Sequence, residues 1–369
     1  MTPIVLGIAL ATLALAFANG ANDNAKGVAT LIGAGRLQPR TAVRYATAAT
    51  LAGSVAAVVL ARGLLARFGG HDVLAPELLD QPAFALAVAG AAAGTVLLAT
   101  RAGLPISTTH ALVGGLAGVG LAAGALRGDA LIAAFVGPLL LSPLVALAVT
   151  ATTYPVLRRL RSALGVTHES CVCVAAEPSL SPAPMSGTAT ARVSLRIVPG
   201  QTPRCTGYAG TVLGIDAQRA LDGCHLLTAG AVSFARGVND TPKIAALLLV
   251  AAPLGLDGAP ALILVGGSMA AGGLLAARRV AATMSHRITS MNDGQAFTAN
   301  LATAALVLVA SRLGVPVSTT HVSVGALFGI GVAGGGARWR TIGVIVLSWV
   351  AVLPLAAALA AVTWLGLTS

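Results

Sequence analysis

The sequence predicts an all-α polytopic membrane protein. It would consist of two inverted-topology repeats of about five spans each, with broken or re-entrant helices, and a small cytoplasmic insert between them. Three observations lead there. Of the 369 residues, 56% are hydrophobic and only 9% are charged, where a soluble globular chain carries about 25% charged residues. Ten apolar runs, each near the length of a membrane span, are separated by short loops. Two polar motifs each occur twice, in the same order, at offsets of 217 and 211 residues. A mean hydropathy of +0.87 and 44 glycines fit closely packed membrane helices. Disorder is excluded, because it requires low hydrophobicity and high charge.

The first five runs lie at 3–21, 41–61, 83–100, 105–124 and 130–153. Five more follow a polar stretch, at 218–235 (continuing to 252), 259–277, 295–311, 317–333 and 341–365. The apolar N-terminus has no basic n-region, so it is expected to be a first span and not a cleaved signal. The expected domains are a first membrane repeat (1–155), a cytoplasmic insert (156–216) and a second membrane repeat (217–369).

The net charge of +11 does not point to nucleic acid, since the arginines sit in short loops and aromatic content is 4%. With the insert cytoplasmic, Arg36, Arg40, Arg44, Arg101, Arg158, Arg159, Arg161, Arg278, Arg279, Arg287, Arg338 and Arg340 all fall inside. The outer loops then hold Arg62, Arg67, Arg127 and Arg312 together with Asp72, Glu77, Asp80, Asp129 and Asp257. That asymmetry predicts a multi-pass protein of the cytoplasmic (plasma or inner) membrane with both termini outside.

The repeat is legible residue by residue. Gly103-Leu-Pro105-Ile-Ser107-Thr108-Thr109-His110 recurs as Gly314-Val-Pro316-Val-Ser318-Thr319-Thr320-His321. Gly114, Gly118 and Gly120 stay in step with Gly325, Gly329 and Gly331. The second pair is Phe17-Ala-Asn-Gly20-Ala-Asn22-Asp23-Asn-Ala-Lys26 and Phe234-Ala-Arg236-Gly237-Val-Asn239-Asp240-Thr-Pro242-Lys243. Halves with an odd number of spans must lie inverted to one another. Inverted repeats are a mark of secondary transporters that bind substrate near the midplane.

Asn22, Asp23 and Lys26 interrupt an apolar run, and Asn239, Asp240 and Lys243 interrupt its counterpart. Intramembrane charges are costly and usually functional. Neighbouring glycines, and Pro242 in the second copy, favour broken helices at both sites. A structural ion pair, Asp23 with Lys26, is the plain alternative; recurrence in the other half weighs against it. Lys26 and Lys243 are the only lysines among 23 basic residues. Lysine is a compact point charge suited to a counter-ion or proton-handling role.

In the second motif, proline permits a helix start or a re-entrant tip. Ser107, Thr108 and Thr109, and Ser318, Thr319 and Thr320, then offer hydroxyls to an oxyanion. Helix capping is the simpler role for a single copy. His110 and His321 are candidates either for orienting these groups or for packing.

These residues resemble the inorganic phosphate transporter (PiT) family. Gly20-Ala-Asn22-Asp23 and Gly237-Val-Asn239-Asp240 are similar to one signature of that family, and Pro105 to His110 and Pro316 to His321 to the other. The resemblance covers both membrane halves and omits the insert. It implies an inverted-repeat anion transporter, sodium- or proton-coupled, whose phosphate site is built from the Asn-Asp pairs and the Ser-Thr-Thr tips. Where that family has a second asparagine, this chain has Lys26 and Lys243. Asp23 and Asp240 with a phosphate dianion sum to four negative charges. Two fixed ammonium groups offset half of that, as two sodium ions would, and Arg236 adds one more. The expectation is sodium-independent, proton-coupled phosphate transport by alternating access. A sulfate or other oxyanion permease and a sodium-coupled phosphate symporter are the alternatives. Phosphate is favoured because its hydroxyl can donate to an aspartate, and sulfate has no such donor. An intramembrane hydrolase is remote, because a catalytic triad is one asymmetric constellation. A passive anion channel or a phosphate sensor is a third class.

The insert holds Cys171, Cys173 and Cys205, with Cys224 just beyond, and His168 and His225 nearby. A metal site on these cysteines is one expectation. Free thiols in a reducing cytoplasm are the other. Pro178, Pro182 and Pro184 mark its first half, and residues 191–215 suggest one or two short strands. Asp216 suggests the cap of the sixth span. No cofactor is required. The expected partners are inorganic phosphate, H+ or Na+ as coupling ion, the lipid bilayer and, as an open option, a second copy in a homodimer, with no nucleic acid.

Overall fold

The computed structural model describes residues 3–167, 169–180, 191–201, 211–249, 258–286 and 291–369. Cys205, His168, Pro182, Pro184, Asp257 and Arg287 therefore lie outside the described residues. The chain divides into two compact units, one of Met1–Tyr154 with Leu226–Ser369 and one of Pro155–His225.

Seven helices are long and apolar enough to cross a membrane. They are α1 (Pro3–Asp23), α3 (Pro39–Leu60), α6 (Pro82–Arg101), α8 (Gly128–Ala163), α10 (Gly258–Ala276), α12 (Asp293–Arg312) and α14 (Trp339–Thr368). Between them lie α2 (Ala29–Gly33), α4 (Arg62–Phe68), α5 (Pro76–Leu79), α7 (Thr108–Ala122), α9 (Ala217–Ala245), α11 (Arg278–His286) and α13 (Thr319–Gly334). The fold class expected from hydropathy, a helical polytopic membrane protein, is the one observed.

The ten expected spans need correction in three places. The runs at 105–124 and 317–333 are not full spans: α7 has 15 residues and α13 has 16. At 1.5 Å per residue each covers only about 22–24 Å, short of a hydrocarbon core of roughly 30 Å. The third is α9, which carries Asp222, Arg236, Asp240 and Lys243 and is not an apolar span.

The helices that precede the short ones, α6 and α12, are each 20 residues long and end in the same way. Gly103 and Gly314 adopt φ of 69° and 68°. This left-handed geometry carries no Cβ penalty in glycine. Leu104 N donates to Ala99 O and Gly103 N to Thr100 O; Val315 N and Gly314 N repeat the pattern onto Ala310 O and Ser311 O. Each is a Schellman ending. Extended residues then lead through Pro105 or Pro316 to Ser107 or Ser318, whose side chain accepts from the backbone N–H of His110 or His321.

The expected breaks at the aspartates occur in one half only. α1 ends at Asp23, and residues 24–28 form turns before α2. α9 instead runs through Asn239 and Asp240 to Ala245, with Pro242 inside it. Proline there removes one N–H but keeps a helical φ. In the first half, Asn24 and Gly27 are poor helix formers, and the turn they occupy packs tightly on α9: a Cβ at Gly27 would meet Ser233 Oγ and Ala229 O.

Packing crosses the halves. Gly114 and Gly118 of α7 lie against the backbone of α14 at Leu353 and Ala357. Gly325 and Gly329 of α13 lie in the same manner against α8 at Pro143 and Leu147. Gly20 of α1 abuts Met269 and Gly273 of α10, and its counterpart Gly237 of α9 abuts Thr50 and Ser54 of α3. Small residues at these points let helix backbones approach, which is how membrane helices gain contact in the absence of a hydrophobic driving force.

In the smaller unit, β1 (Ser170–Leu180), β2 (Ala191–Gln201) and β3 (Thr211–Asp216) form an antiparallel sheet in the order β2-β1-β3. The strands expected within 191–215 are β2 and β3; β1 was not anticipated. Pro178 speaks against a strand in sequence, but β3 pairs with β1 only through Ala175. Beyond that point, among the described residues, no strand pairs with β1 on that side, and proline is tolerated on such an edge. Asp216 caps α9, accepting from Arg219 N at 2.6 Å.

A Cβ at Gly20 meets backbone, which cannot give way. We therefore expect Gly20→Ala to destabilise the folded protein by about 1–3 kcal/mol, read as a lower apparent Tm in detergent. Gly90, with nothing within 4 Å of its would-be Cβ, is the control: Gly90→Ala should leave Tm unchanged.

Candidate functional site

The C-terminal end of α1 and the C-terminal part of α9 bring the two Asn-Asp motifs together with the starts of α7 and α13. Asp23, Lys26, Asp240 and Lys243 are all buried at 3% exposure or less. Lys26 Nζ donates to Asp23 Oδ1, to Thr320 Oγ1 and, at 2.9 Å, to Ile106 O. Lys243 Nζ donates to Thr109 Oγ1 at 3.1 Å and Val317 O at 2.5 Å, and lies 3.7 Å from Asp240 Oδ1. Each lysine thus pairs with the aspartate of its own half and reaches the threonine of the other half. Ile106, whose carbonyl accepts from Lys26, and Val317, whose carbonyl accepts from Lys243, are themselves repeat equivalents.

The two aspartates are joined by a residue the sequence reading missed. Asn19 Nδ2 stands 3.2 Å from Asp23 Oδ2, 3.3 Å from Asp240 Oδ2 and 3.0 Å from Thr108 Oγ1. An amide nitrogen has two hydrogens, so three acceptors share them. Asn19 Oδ1 accepts from Arg236 Nη2 at 2.7 Å. Asn19 and Arg236 occupy equivalent repeat positions, so the signal was present in the motif alignment. Arg236 also donates to Asn24 Oδ1 at 3.1 Å and Thr50 Oγ1 at 3.3 Å, and its Nε lies 3.7 Å from Asp240 Oδ2. Asn24 and Thr50 were likewise not singled out in sequence, because a lone buried asparagine or threonine reads as ordinary helix packing. Thr319 Oγ1 completes the network at 3.5 Å from Asp240 Oδ2.

Of the expected anion-binding residues, Asp23, Asp240, Thr108, Thr109, Thr319 and Thr320 join this network with Lys26, Lys243 and Arg236. Four others are committed to the protein. Ser107 and Ser318 are N-caps. Asn22 braces the loop before α7, donating to Thr100 Oγ1 and Leu104 O and accepting from Ile106 N. Asn239 braces the other loop, donating to Val317 O and accepting from Ser311 Oγ, although it also donates to Asp240 Oδ1 at 3.0 Å. Thr100 and Ser311 are again repeat equivalents. His110 and His321 pack against each other with centroids 4.3 Å apart and planes tilted by 45°, and His321 packs on Trp349 at 3.9 Å and 30°. His321 Nδ1 lies 3.2 Å from Leu139 O. Among the described residues, neither imidazole bonds to the aspartates or lysines.

Cys171 is disulfide-bonded, which takes its sulfur out of the four-cysteine ligand set considered from sequence and corrects the free-thiol reading there. Cys224 is a free, exposed thiol. Among the described residues, no three His, Cys, Asp or Glu side chains cluster in a way that would hold a metal.

Chemically, the arrangement places three cations, two carboxylates and four threonine hydroxyls in one buried volume where the halves meet. The serine that a hydrolase would need is capping a helix in both copies.

Comparison with known proteins agrees with this chemistry. Residues 19–360 match the model of the phosphate transporter family. The chain is 30% identical to the chloroplastic inorganic phosphate transporter 2-1 of Arabidopsis thaliana, over 97% of this chain and 73% of that one. It is 28% identical to a chain of Pyrococcus abyssi assigned as a phosphate permease, over 98% of this chain and 97% of that one. The solved structure described as the sodium-dependent phosphate transporter shares the fold, with a TM-score of 0.77 at 22% identity, covering 100% of this chain and 99% of that one. The family match, from residue 19 to residue 360, takes in both Asn-Asp pairs and both Ser-Thr-Thr-His runs, so this multi-pass chain belongs to the phosphate transporter family, a family of transporters and not of enzymes.

Proposed function

We propose that the chain carries inorganic phosphate across the cytoplasmic membrane by alternating access, between two halves that are inverted repeats of each other, with both termini outside. Phosphate would bind among Thr108, Thr109, Thr319 and Thr320, with Asp23 and Asp240 as acceptors for its hydroxyl. Lys26 and Lys243 would stand where a coupling cation is otherwise needed, making transport sodium-independent and proton-coupled. One observation carries this reading: each ammonium lies between the aspartate of its own half and a threonine of the other half. A mobile cation bridging acid and substrate would occupy the same place. Because each lysine touches both halves, moving one half against the other changes its partners, which is what a coupling element must do.

The second reading is sodium coupling, in keeping with the description of the solved relative. Uptake of labelled phosphate into proteoliposomes, with sodium or choline outside, decides between them. Equal initial rates are expected, and strict sodium dependence would refute the proposal. The double variant Lys26→Asn with Lys243→Asn, which restores the residue type carried by the resembling family, should convert uptake to sodium dependence.

The site geometry separates serine from threonine. Ser107→Ala removes a helix cap and should cost about 0.5–2 kcal/mol of stability while leaving KM for phosphate unchanged. Thr109→Ala removes a hydroxyl held by a buried ammonium and should raise KM roughly tenfold or more, the worth of a hydrogen bond to a charged group. Initial-rate kinetics on both variants in liposomes would check the contrast.

A further inference from the structure

A second cationic site lies at one end of the bundle, apart from the network above. Arg40 and Arg44, one turn apart on α3, and Arg278, the first residue of α11, line a single groove with Pro39, Val43 and Leu274. No acidic side chain among the described residues lines it. Among the described residues, none of the three guanidinium groups has an ion pair or a side-chain hydrogen bond. Other exposed arginines do: Arg36 pairs with Asp293, and Arg67 with Asp72 at 3.0 Å. Like charges one turn apart on a helix repel, and a third from another helix adds to that. Such a cluster is relieved by an anion.

The groove's position and its apolar part say which anion. α3 begins at Pro39 and α10 ends at Ala276, and both are membrane-crossing by length and composition. The groove therefore sits where two spans leave the hydrocarbon layer, at the depth of lipid headgroups. Its floor is aliphatic. Val43 is buried, while Leu274 is 48% exposed and the adjoining Leu275 is 75% exposed on the bundle surface. A free inorganic anion gains nothing from that floor; a molecule with an anionic head and an acyl tail uses both parts.

We propose that this groove binds an anionic phospholipid, its phosphate held by Arg40, Arg44 and Arg278 and an acyl chain running along Leu274. The proposal needs only that these helices span a membrane and does not depend on the transport mechanism.

The test uses the full-length protein purified in detergent, incubated with equal amounts of phosphatidylglycerol and phosphatidylcholine, with bound lipid counted by native mass spectrometry. The wild type should retain phosphatidylglycerol preferentially. Each of Arg40→Gln, Arg44→Gln and Arg278→Gln should reduce that preference about fivefold, the usual worth of one basic side chain near an anionic surface, and the triple variant should abolish it. The single variants keep the experiment readable if the triple variant does not fold. A lipid preference unchanged in the single variants would overturn the proposal. So would a wild type with no preference. A parallel titration with inorganic phosphate distinguishes the sources: if the variants lose a phosphate-binding event and keep the lipid preference, the groove belongs to free phosphate and the lipid assignment fails.

Discussion

Two carboxylates buried in the interior of a membrane protein have to be neutralised, and much of this structure follows from how that is done. An unpaired buried charge is far more costly than a paired one. Asp23 and Asp240 sit where the halves meet, within reach of one shared amide. Their counter-charges are covalently attached: Lys26 in the turn after α1, Lys243 in the last turn of α9, and Arg236 one turn before Asp240. Because each ammonium also bonds to the opposite tip, neither half holds a complete site. The crosswise helix packing, α7 on α14 and α13 on α8, has the same logic on a larger scale. The buried network exists only when the two halves are assembled.

The symmetry is broken at one pair of positions. Asn19 and Arg236 are repeat equivalents, and they bond to each other. By formal charge the network then holds three cations and two acids, an excess of one positive charge in a buried volume. Such an excess attracts an anion and disfavours a further cation. Asn19 faces three acceptors with two hydrogens, so its bonding can redistribute among them.

The short helices supply the hydroxyl groups of the buried network. α7 and α13 start deep in the protein because Gly103 and Gly314 end the preceding helices with a left-handed residue, and because Asn22 and Asn239 hold the loops that follow. The residue types that looked like ligands in sequence therefore divide by task. Asparagine fixes the loop, serine closes the helix end, and threonine presents its hydroxyl to the lysines and aspartates. All three tasks demand small hydrogen-bonding side chains, which is why composition alone did not separate them.

Hydropathy, the two-fold recurrence of both motifs and the placement of the only two lysines were enough to establish a duplicated helical membrane protein with buried charges at matched positions. These are properties of chain order, and periodicity and charge report them directly. The lengths of α7 and α13, the unbroken course of α9 past Asp240, the strand at β1 and the disulfide at Cys171 emerged only with the fold. Each depends on partners remote in sequence: the backbone carbonyls that glycines pack against, the ladder that ends at Ala175, the second sulfur. So does the exchange of lysines between halves. Which threonine an ammonium meets is decided by how the repeats cross, and no local pattern records that. Asn19 shows the limit most directly: the alignment with Arg236 marks its position, but only the fold closes three buried acceptors and a guanidinium around it.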